Sequence, residues 1–433
     1  MLKKILKVLG VLIAAIVISA GGLIAWLSAT EYAPEAVESA ETIGNAAEKP
    51  LAAESTIKFL TFNTGYAGLG EEADFFMDGG KNTRTGDEST VAKNMTGIKE
   101  IIADSGADIC LLQEVDADSK RSFGIDQREY YLSGIEKNAA FALNYSCAYV
   151  PFPLPTIGKV NSGLMTVTDF GVESAERIAL PCPFSWPIRT ANLKRCLLVS
   201  YCPIEGSDSR LVVVNLHLEA YDDGEGKAAQ TKMLREFLQA EYEKGNYVIA
   251  GGDFNQTFPG TLDKYPINDP SLWVPGVLEP EILPDGWSFV YDDSVPSCRL
   301  NNQPYDPESP STQHYLIDGF IVSPNVELLS VNTLDEGFRF SDCNTVNAES
   351  CPKQDCLLSP NTFFLQCKQL RLYKKAACRF ISDSFFILHI TVLSPDMTQS
   401  PYQHLLRQNN AHRIYGFRPQ FFPQAAHRKA YNP

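Results

Sequence analysis

Residues 247–255 read Tyr-Val-Ile-Ala-Gly-Gly-Asp-Phe-Asn, an apolar run that two glycines join to an acid and an amide. A short apolar run that is rich in β-branched residues and bounded by glycine is typical of a strand. Asp253 and Asn255 therefore stand at the end of a predicted strand. Polar residues at the strand ends of a two-sheet sandwich gather at one rim, so the stretch predicts a functional site there.

Five further polar residues stand in or at the end of other apolar segments. A buried carboxylate costs several kcal/mol unless it is paired or binds a cation, and a shared metal ion accounts for several acids at one rim. Oxygen ligands without cysteine or a histidine pair favour Mg²⁺, Mn²⁺ or Ca²⁺ over zinc. The residues are Asn63, Glu114, His217, Asp318 and Asp342.

The order and context of these segments resemble the endonuclease/exonuclease/phosphatase superfamily, a group of metal-dependent phosphoesterases related to pancreatic deoxyribonuclease and neutral sphingomyelinase. The resemblance extends over residues 57–346, and five segments match in sequence order, which is far more specific than any one of them. They are Thr-Phe-Asn at 61–63, Leu-Gln-Glu-Val at 112–115, Asn-Leu-His-Leu at 215–218, Gly-Asp-Phe-Asn at 252–255 and Ile-Asp-Gly-Phe at 317–320.

The resemblance implies an α/β fold, a four-layer αββα sandwich of two mixed sheets flanked by helices. The site is expected in the cleft where strand ends from both sheets meet. Asn63 and Glu114 are implied to belong to the metal centre, with Glu114 as the principal ligand. Asp342 is implied to lie beside the metal, for which Mg²⁺ is expected and Mn²⁺ or Ca²⁺ are alternatives.

The same resemblance implies the catalytic roles. His217 is expected to bind the scissile phosphate or act as general acid, and Asp253 with Asn255 to orient the attacking water and the phosphate. Asp318 is expected to orient a histidine. A looser match implies that Asn161 reaches a phosphate oxygen.

The terminal catalytic histidine of the family pattern is missing. The pattern ends in Ser-Asp-His-Asn-Pro-Val, whereas residues 341–346 read Ser-Asp-Cys-Asn-Thr-Val, with Cys343 in place of histidine. A thiol cannot relay a proton between two ring nitrogens, and loss of such a group costs on the order of 10²–10⁴ in rate. His314 is not expected to replace it, because in a strand it would lie roughly 13 Å from Asp318.

Alternating β-branched and amphipathic stretches predict strands interspersed with helices. Helices are predicted over 91–103 and over 226–244, the second ended by Gly245. Strands are predicted over 57–62, 108–115, 163–167, 195–201, 211–218, 247–250, 315–322 and 326–331.

The N-terminus predicts a membrane anchor over residues 1–28. Three lysines precede an uncharged, mostly apolar stretch at 8–27 that is long enough to span a bilayer. A cleaved signal peptide is the alternative, although it usually has a shorter apolar region. Lysines before the helix and only acids soon after it predict a single-pass protein with an extracytoplasmic domain. The Ala- and Glu-rich residues 29–56 are predicted to be a linker.

The formal charge of −15 is unevenly distributed. Residues 31–342 carry 23 Lys and Arg against 48 Asp and Glu, whereas residues 343–433 carry 11 against 4. So acidic a domain repels long polyanions, which makes nucleic acid a less favoured partner than a small or lipid-linked phosphoester.

The C-terminal residues differ from the domain in composition. Residues 343–433 hold four of the six His and five of the 11 Cys. Residues 347–353 lack the alternation of a strand and include a proline. We expect the domain, 57–346, to end there, with 347–433 a non-native or disordered tail produced by a shifted reading frame or gene disruption. A further domain or a partner-binding extension is the alternative.

Cysteine spacing predicts no zinc site in the domain. Six Cys lie in residues 51–342 without a CxxC pair. They are expected to be buried thiols or an incidental disulfide, and their spacing does not say which are paired.

These patterns together predict a monomeric, membrane-anchored enzyme that hydrolyses a phosphodiester or phosphomonoester on the outer side of a membrane. The absent histidine is expected to impair it. An extracellular nuclease is one alternative. A non-catalytic cell-surface module that keeps the fold is the other.

Overall fold

A computed structural model of the chain describes residues 1–44, 49–53, 55–83, 86–222 and 224–353. Both predicted helices of the domain are confirmed. The Asp87 carboxylate accepts a hydrogen bond from Thr90 N and so caps the first of them. Within the described residues the α-helices are α1 Leu2–Ala29, α2 Glu88–Asp104, α3 Gln127–Leu132 and α4 Glu225–Glu243.

Fourteen of the 18 strands in the described residues form two large mixed sheets, and the other four form two small two-stranded sheets. In chain order they are β1 Val37–Ser39, β2 Glu41–Gly44, β3 Ile57–Asn63, β4 Ile109–Asp116, β5 Asn138–Val150, β6 Gly158–Thr168, β7 Ser174–Ala179, β8 Cys196–Pro203, β9 Arg210–His217, β10 Tyr247–Asp253, β11 Gln256–Thr257, β12 Gly276–Val277, β13 Ser288–Val290, β14 Cys298–Arg299, β15 His314–Tyr315, β16 Asp318–Val322, β17 Val326–Leu334 and β18 Thr345–Pro352. The first sheet has the order β1-β7-β8-β9-β10-β16-β13, and the second has the order β17-β18-β3-β4-β6-β5-β2.

The two sheets pack face to face over a shared apolar core. Phe59 of the second sheet meets Phe320 of the first edge to face, with ring centroids 6.4 Å apart. Leu111, Val213 and Ile249 belong to the same buried cluster. Burial of each such side chain contributes roughly 1.5–3 kcal/mol.

Helices cover the outer faces of both sheets. Val91, Met95 and Ile98 of α2 share a buried cluster with Leu60 and Leu112 of the second sheet. On the other side, α4 buries its apolar face and contacts β10 of the first sheet. The layers are therefore helix, sheet, sheet, helix, and the predicted αββα sandwich is confirmed.

Gly252 allows β10 to lie close to β9 just before the polar residues at the strand end. Its φ of +152° is outside the range that other residues readily adopt, and a Cβ there would lie 1.9 Å from the Leu216 carbonyl oxygen. The glycine thus fixes the approach of Asp253 to the neighbouring strand.

The linker prediction for residues 29–56 is wrong for much of its length. β1 pairs with β7 at the edge of one sheet, and β2 pairs with β5 at the edge of the other. Leu51 is fully buried in the core between the sheets. Edge strands are half-exposed and tolerate polar residues, so the Ala- and Glu-rich composition did not indicate them.

The predicted domain end at residue 346 is also wrong, because β18 continues to Pro352 and pairs with both β3 and β17. Its buried positions include Ala348 and Ser350. Because these side chains are small, the sequence does not show the alternation of large apolar and polar residues that is typical of a strand. The proline lies beyond the pairing with β3, where its missing N–H is tolerated. Residues 354–433 lie outside the described residues, so the rest of the tail prediction stays a prediction.

Two further differences concern strands. The 13-residue β5 and the six-residue β7 were not predicted. The strand predicted over 315–322 is divided into β15 and β16, which belong to different sheets. The break lies directly before Asp318, which therefore begins a strand rather than lying inside one.

Candidate active site

One row of the first sheet brings three predicted residues side by side. Asp253 ends β10, and its register partners are His217 on β9 and Asp318 on β16. His217 Nε2 lies 3.6 Å from Asp253 Oδ2. All three side chains are buried. Strand pairing alone therefore places an imidazole and two carboxyl groups next to one another.

Asn63, at the end of β3, connects this row to the second sheet. Its Nδ2 donates hydrogen bonds to Asp253 Oδ2 over 2.9 Å and to Glu114 Oε1 over 3.3 Å. Its Oδ1 accepts a hydrogen bond of 3.0 Å from Gly65 N. In this arrangement Asn63 orients the two carboxylates through its amide nitrogen, and a direct bond from Asn63 to a metal stays a prediction.

Glu114 lies at an irregularity in β4. The register with β6 shifts between Leu112 and Val115, and Glu114 has a φ of +56°. Non-glycine residues adopt this backbone only when the surroundings impose it, and such strain clusters at functional sites. The bulge directs the Glu114 side chain toward Asn63, and the residue as a whole stays partly exposed.

Asp342 completes the cluster from the segment before β18. Ser341 Oγ donates a hydrogen bond of 2.7 Å to the Asn63 carbonyl oxygen, which ties this segment to β3. Asn301 Nδ2 donates to Asp342 Oδ2 over 2.5 Å. Asp342 is partly exposed like Glu114, so both carboxylates border the cleft.

Burial raises the pKa of every carboxyl group in the cluster. For Glu114 desolvation is the largest cause, and for Asp342 the Glu114 charge adds to it. Desolvation raises the pKa of Asp253 to about 6. The pKa of Asp318 is raised well above its ordinary value by burial and by the adjacent Asp253. Ionisation of these carboxyl groups is therefore disfavoured unless a cation binds beside them.

His217 is neutral in this setting. Burial lowers its pKa well below the ordinary value, and the charges of Arg195 and Arg121 lower it further. Its Nδ1 is buried and has no hydrogen-bond partner among the described residues. A neutral imidazole with a free ring nitrogen can hydrogen-bond a phosphate oxygen.

The donor set fits a hard divalent cation. Glu114 and Asp342 offer carboxylate oxygens at the cleft, and Asp318 Oδ1 is buried without a hydrogen-bond partner in the described part of the chain. Donor atoms of Asp253, Asp318 and Cys343 also lie within 4.8 Å of one another. Oxygen-rich groups of this kind suit Mg²⁺, Mn²⁺ or Ca²⁺.

Cys343 occupies the position next to Asp318 where the family pattern has histidine, and its thiol faces that carboxyl group. His314 lies elsewhere, with its ring stacked on Phe338 at a centroid distance of 5.8 Å. Its second ring contact is with Tyr305. The expectation that His314 does not serve Asp318 agrees with these contacts.

Two predicted residues have local roles in this arrangement. Asn255 Nδ2 donates to the Leu218 carbonyl oxygen over 2.8 Å, and Asn255 N donates to Asp253 Oδ1 over 2.8 Å. Asn161 Oδ1 accepts a hydrogen bond of 2.8 Å from Ser146 Oγ on the neighbouring strand. A contact of Asn161 with phosphate stays a prediction.

Two arginines near the site, Arg195 buried and Arg121 partly buried, were not predicted. Arg121 forms an ion pair of 2.9 Å with Asp116 and lies 3.7 Å from the centre of the Tyr66 ring. Arg195 pairs with Glu219 and donates to the His217 carbonyl oxygen over 3.1 Å. The sequence offered one indication that Arg121 lies near the site, its position a few residues after Glu114, and none for Arg195.

The family model described as Endonuclease/Exonuclease/phosphatase family matches residues 60–342. No curated protein matches the chain.

Three solved structures illustrate the similarity. An endonuclease/exonuclease/phosphatase from Beutenbergia cavernae has 15% identity and a TM-score of 0.48, over 70% of this chain and 76% of that one. The human Nocturnin catalytic domain with bound sulfate has 17% identity and a TM-score of 0.43, over 72% and 97%. ANGEL2, a 2',3'-cyclic phosphatase, in complex with adenosine-2',3'-vanadate has 15% identity and a TM-score of 0.45, over 69% and 96%.

Proposed function

Because the chain belongs to the endonuclease/exonuclease/phosphatase family, we propose that it is a divalent-cation-dependent phosphoesterase acting on the outer side of a membrane. The observation that carries the proposal is the hydrogen bond between Asn63 and Asp253, which joins the strand ends of both sheets. Around it stand carboxylates and an imidazole suited to the hydrolysis of a phosphodiester or phosphomonoester.

Glu114 and Asp342 would hold the cation, since both carboxylates border the cleft. A bound Mg²⁺ would supply positive charge to the phosphate as negative charge develops in the transition state. The elevated pKa values of the two acids support this role, because a cation offsets the cost of keeping both ionised.

Asp253 is suited to accept the proton of the attacking water. With a pKa of about 6 it is ionised at neutral pH, yet it is more basic than an exposed aspartate. Asn63 Nδ2 and Asn255 N each hold one of its oxygens and so fix the carboxylate plane.

His217 is suited to contact the phosphate through its neutral imidazole. Its ring lies beside Asp253, and its Nδ1 has no protein partner in the described residues. Arg195 holds the His217 carbonyl oxygen and so positions the end of β9.

The proton for the leaving oxygen is the weak point of the site. Asp318 would orient a histidine in the family pattern, and here it faces Cys343 instead. Its interaction with Cys298 raises the pKa of that thiol group well above the ordinary value, and desolvation raises it further, so the thiol is a poor proton donor at neutral pH. We therefore propose that turnover of this chain is reduced by on the order of 10²–10⁴.

The membrane location is supported by α1, the one helix in the described residues that is long and apolar enough to span a bilayer. A signal sequence would satisfy the same test. The last turns of α1 pack on the domain, where Leu23 and Leu27 join a cluster with Val150. Trp186 Nε1 donates to Ser28 Oγ over 2.9 Å.

Exposed apolar side chains surround this contact. Phe152, Leu154, Trp186 and Ile188, here called the apolar rim, are between 47% and 84% exposed. Side chains of this kind beside a membrane helix are suited to the interface between lipid and water. The rim supports a domain that rests on the lipid surface.

The apolar rim is connected to the active site. The Phe152 ring meets Phe76 at a centroid distance of 6.4 Å, and Asp78 follows in the same turn. Asp78 Oδ2 accepts a hydrogen bond of 3.0 Å from the backbone N of Asn301, the residue that holds Asp342. This short path favours a lipid-linked phosphoester as substrate.

A non-catalytic cell-surface module is the second candidate function, and Cys343 is the observation that favours it. A nuclease is less favoured because acids outnumber bases 48 to 23 over residues 31–342.

The test compares the full chain with a Cys343→His variant. Hydrolysis of bis(p-nitrophenyl) phosphate, a nucleic acid and sphingomyelin is measured in Mg²⁺ and in EDTA. We expect the variant to gain roughly 10²–10⁴ in Mg²⁺-dependent rate on at least one substrate. If neither protein hydrolyses any of the three, the enzymatic proposal is wrong for this site.

A further inference from the structure

Cys298 and Cys343 lie opposite each other on antiparallel segments. The two residues are bridge partners, and two backbone hydrogen bonds flank them. Arg299 N donates to the Asp342 carbonyl oxygen over 3.0 Å, and Asn344 N donates to the Ser297 carbonyl oxygen over 2.8 Å. This is the pattern of a non-hydrogen-bonded pair, in which the Cα atoms are about 4.5 Å apart and the side chains are closest.

That separation is within the range of disulfide bonds, for which Cα atoms are roughly 4.4–6.8 Å apart. The two side chains lie in the same buried cluster. Both residues are buried. A covalent bond between the sulfur atoms therefore requires little movement of the backbone.

The pairing is specific among the described cysteines. Cys298 and Cys343 share one buried cluster with Tyr315 and Ile317. The other buried cysteines each lie in a separate cluster; they are Cys110, Cys147, Cys196 and Cys202. Within the part of the chain that the structure describes, no second pair of buried cysteines shares a cluster.

We propose that Cys298 and Cys343 are a disulfide-forming pair at the active site. The step is thiol–disulfide exchange with an oxidised low-molecular-weight disulfide. Both S–H bonds break and one S–S bond forms between the two residues. Two electrons and both protons pass to the small disulfide, which is reduced to two thiols. An extracytoplasmic compartment contains small disulfides of this kind. Only the supply of this oxidant rests on the location proposed above.

The disulfide would affect the surroundings of two carboxyl groups of the site, those of Asp318 and Asp342. Ser297, adjacent to Cys298, donates to Asp318 Oδ2 over 2.8 Å, and Asp342 is adjacent to Cys343. A disulfide would tie the segments that hold these two carboxyl groups to each other. It would also remove the thiol proton of Cys343, whose sulfur lies beside Asp318. The oxidised site is thus more rigid and has one donor fewer.

The experiment uses the full chain incubated with oxidised glutathione at alkaline pH for hours, because buried thiols with a raised pKa exchange slowly. The protein is then unfolded, alkylated with N-ethylmaleimide, digested without reductant and analysed by mass spectrometry. We expect a peptide linking Cys298 to Cys343, with Cys202 alkylated as the buried control. A glutathione adduct on the partly exposed Cys182 verifies that the oxidant is active.

Alkylation of both residues in a sample that carries the Cys182 adduct would overturn the proposal. Thermal unfolding gives a second measurement: oxidised protein should unfold several degrees above reduced protein. This difference should persist in Cys202→Ala and vanish in Cys298→Ala. Neither readout depends on hydrolysis, so failure of the proposed function and failure of this pairing are separate results.

Discussion

Asn63 Nδ2 donates a hydrogen bond of 2.9 Å to Asp253 Oδ2, and this contact joins the ends of strands in opposite sheets. The same amide reaches Glu114 Oε1, so one side chain orients a carboxylate on each side of the cleft. The geometry of the site therefore depends on how the sheets pack as much as on any single strand.

The first prediction concerns the charge on Asp253. Burial raises its pKa from 3.8 to about 6, so the ionised carboxylate destabilises the folded protein at neutral pH, and this cost disappears as the pH falls through 6 toward 4. In EDTA at pH 7.5, Asp253→Asn should be more stable than the parent by on the order of 1–3 kcal/mol.

Urea unfolding at pH 5.0 and pH 7.5 measures that difference, which should shrink at the lower pH. Asp269→Asn is the matched control. Its carboxylate is exposed and its pKa is lowered by hydrogen bonds from Ser271, so the control should not gain stability at pH 7.5. If the difference in unfolding free energy between Asp253→Asn and the parent did not change with pH, the raised pKa assigned to Asp253 would be wrong.

The second prediction concerns the apolar rim. Variants that keep a single tryptophan are reconstituted in vesicles, and their fluorescence quenching by brominated phosphatidylcholine is measured. Trp186 should be quenched because it is exposed beside the end of α1. Trp26, inside α1, is the positive control, and Trp287, buried against Tyr242, is the negative control. Quenching of Trp26 without quenching of Trp186 would mean that the rim does not touch lipid.

The third prediction concerns the C-terminal boundary. A chain that ends after Lys353 should unfold at the same temperature as the full chain, because β18 is complete. A chain that ends after Val346 should be strongly destabilised, since backbone hydrogen bonds to β3 and β17 are lost at roughly 0.5–1.5 kcal/mol each. Equal stability of the two truncated chains would show that β18 does not contribute to the domain.

The sequence allowed prediction of the parts of the site that lie within one strand. His217 and Asp253 each stand in or after an apolar run, and that local pattern is sufficient to place them at strand ends, whereas it does not reveal the irregularity inside β4 at Glu114. The direction of the Asn63 amide could not be predicted, because it depends on a partner 190 positions away in the other sheet.

Strands whose side chains are small or polar were also missed. Edge residues 37–44 pair on one side only and carry no apolar alternation. In β18 the buried positions are filled by residues such as Ala348 and Ser350, so hydropathy did not reveal the strand. Packing against neighbours, rather than local composition, determines these elements.

The most direct test of a metal site at Glu114 is the affinity for Mn²⁺, used in place of Mg²⁺ and detected by electron paramagnetic resonance. The parent and Glu349→Gln, a matched change on β18 away from the cleft, should bind with the same affinity. Glu114→Gln should bind at least about tenfold more weakly, because the principal carboxylate ligand is lost. Equal affinity in all three proteins would contradict a metal site at Glu114.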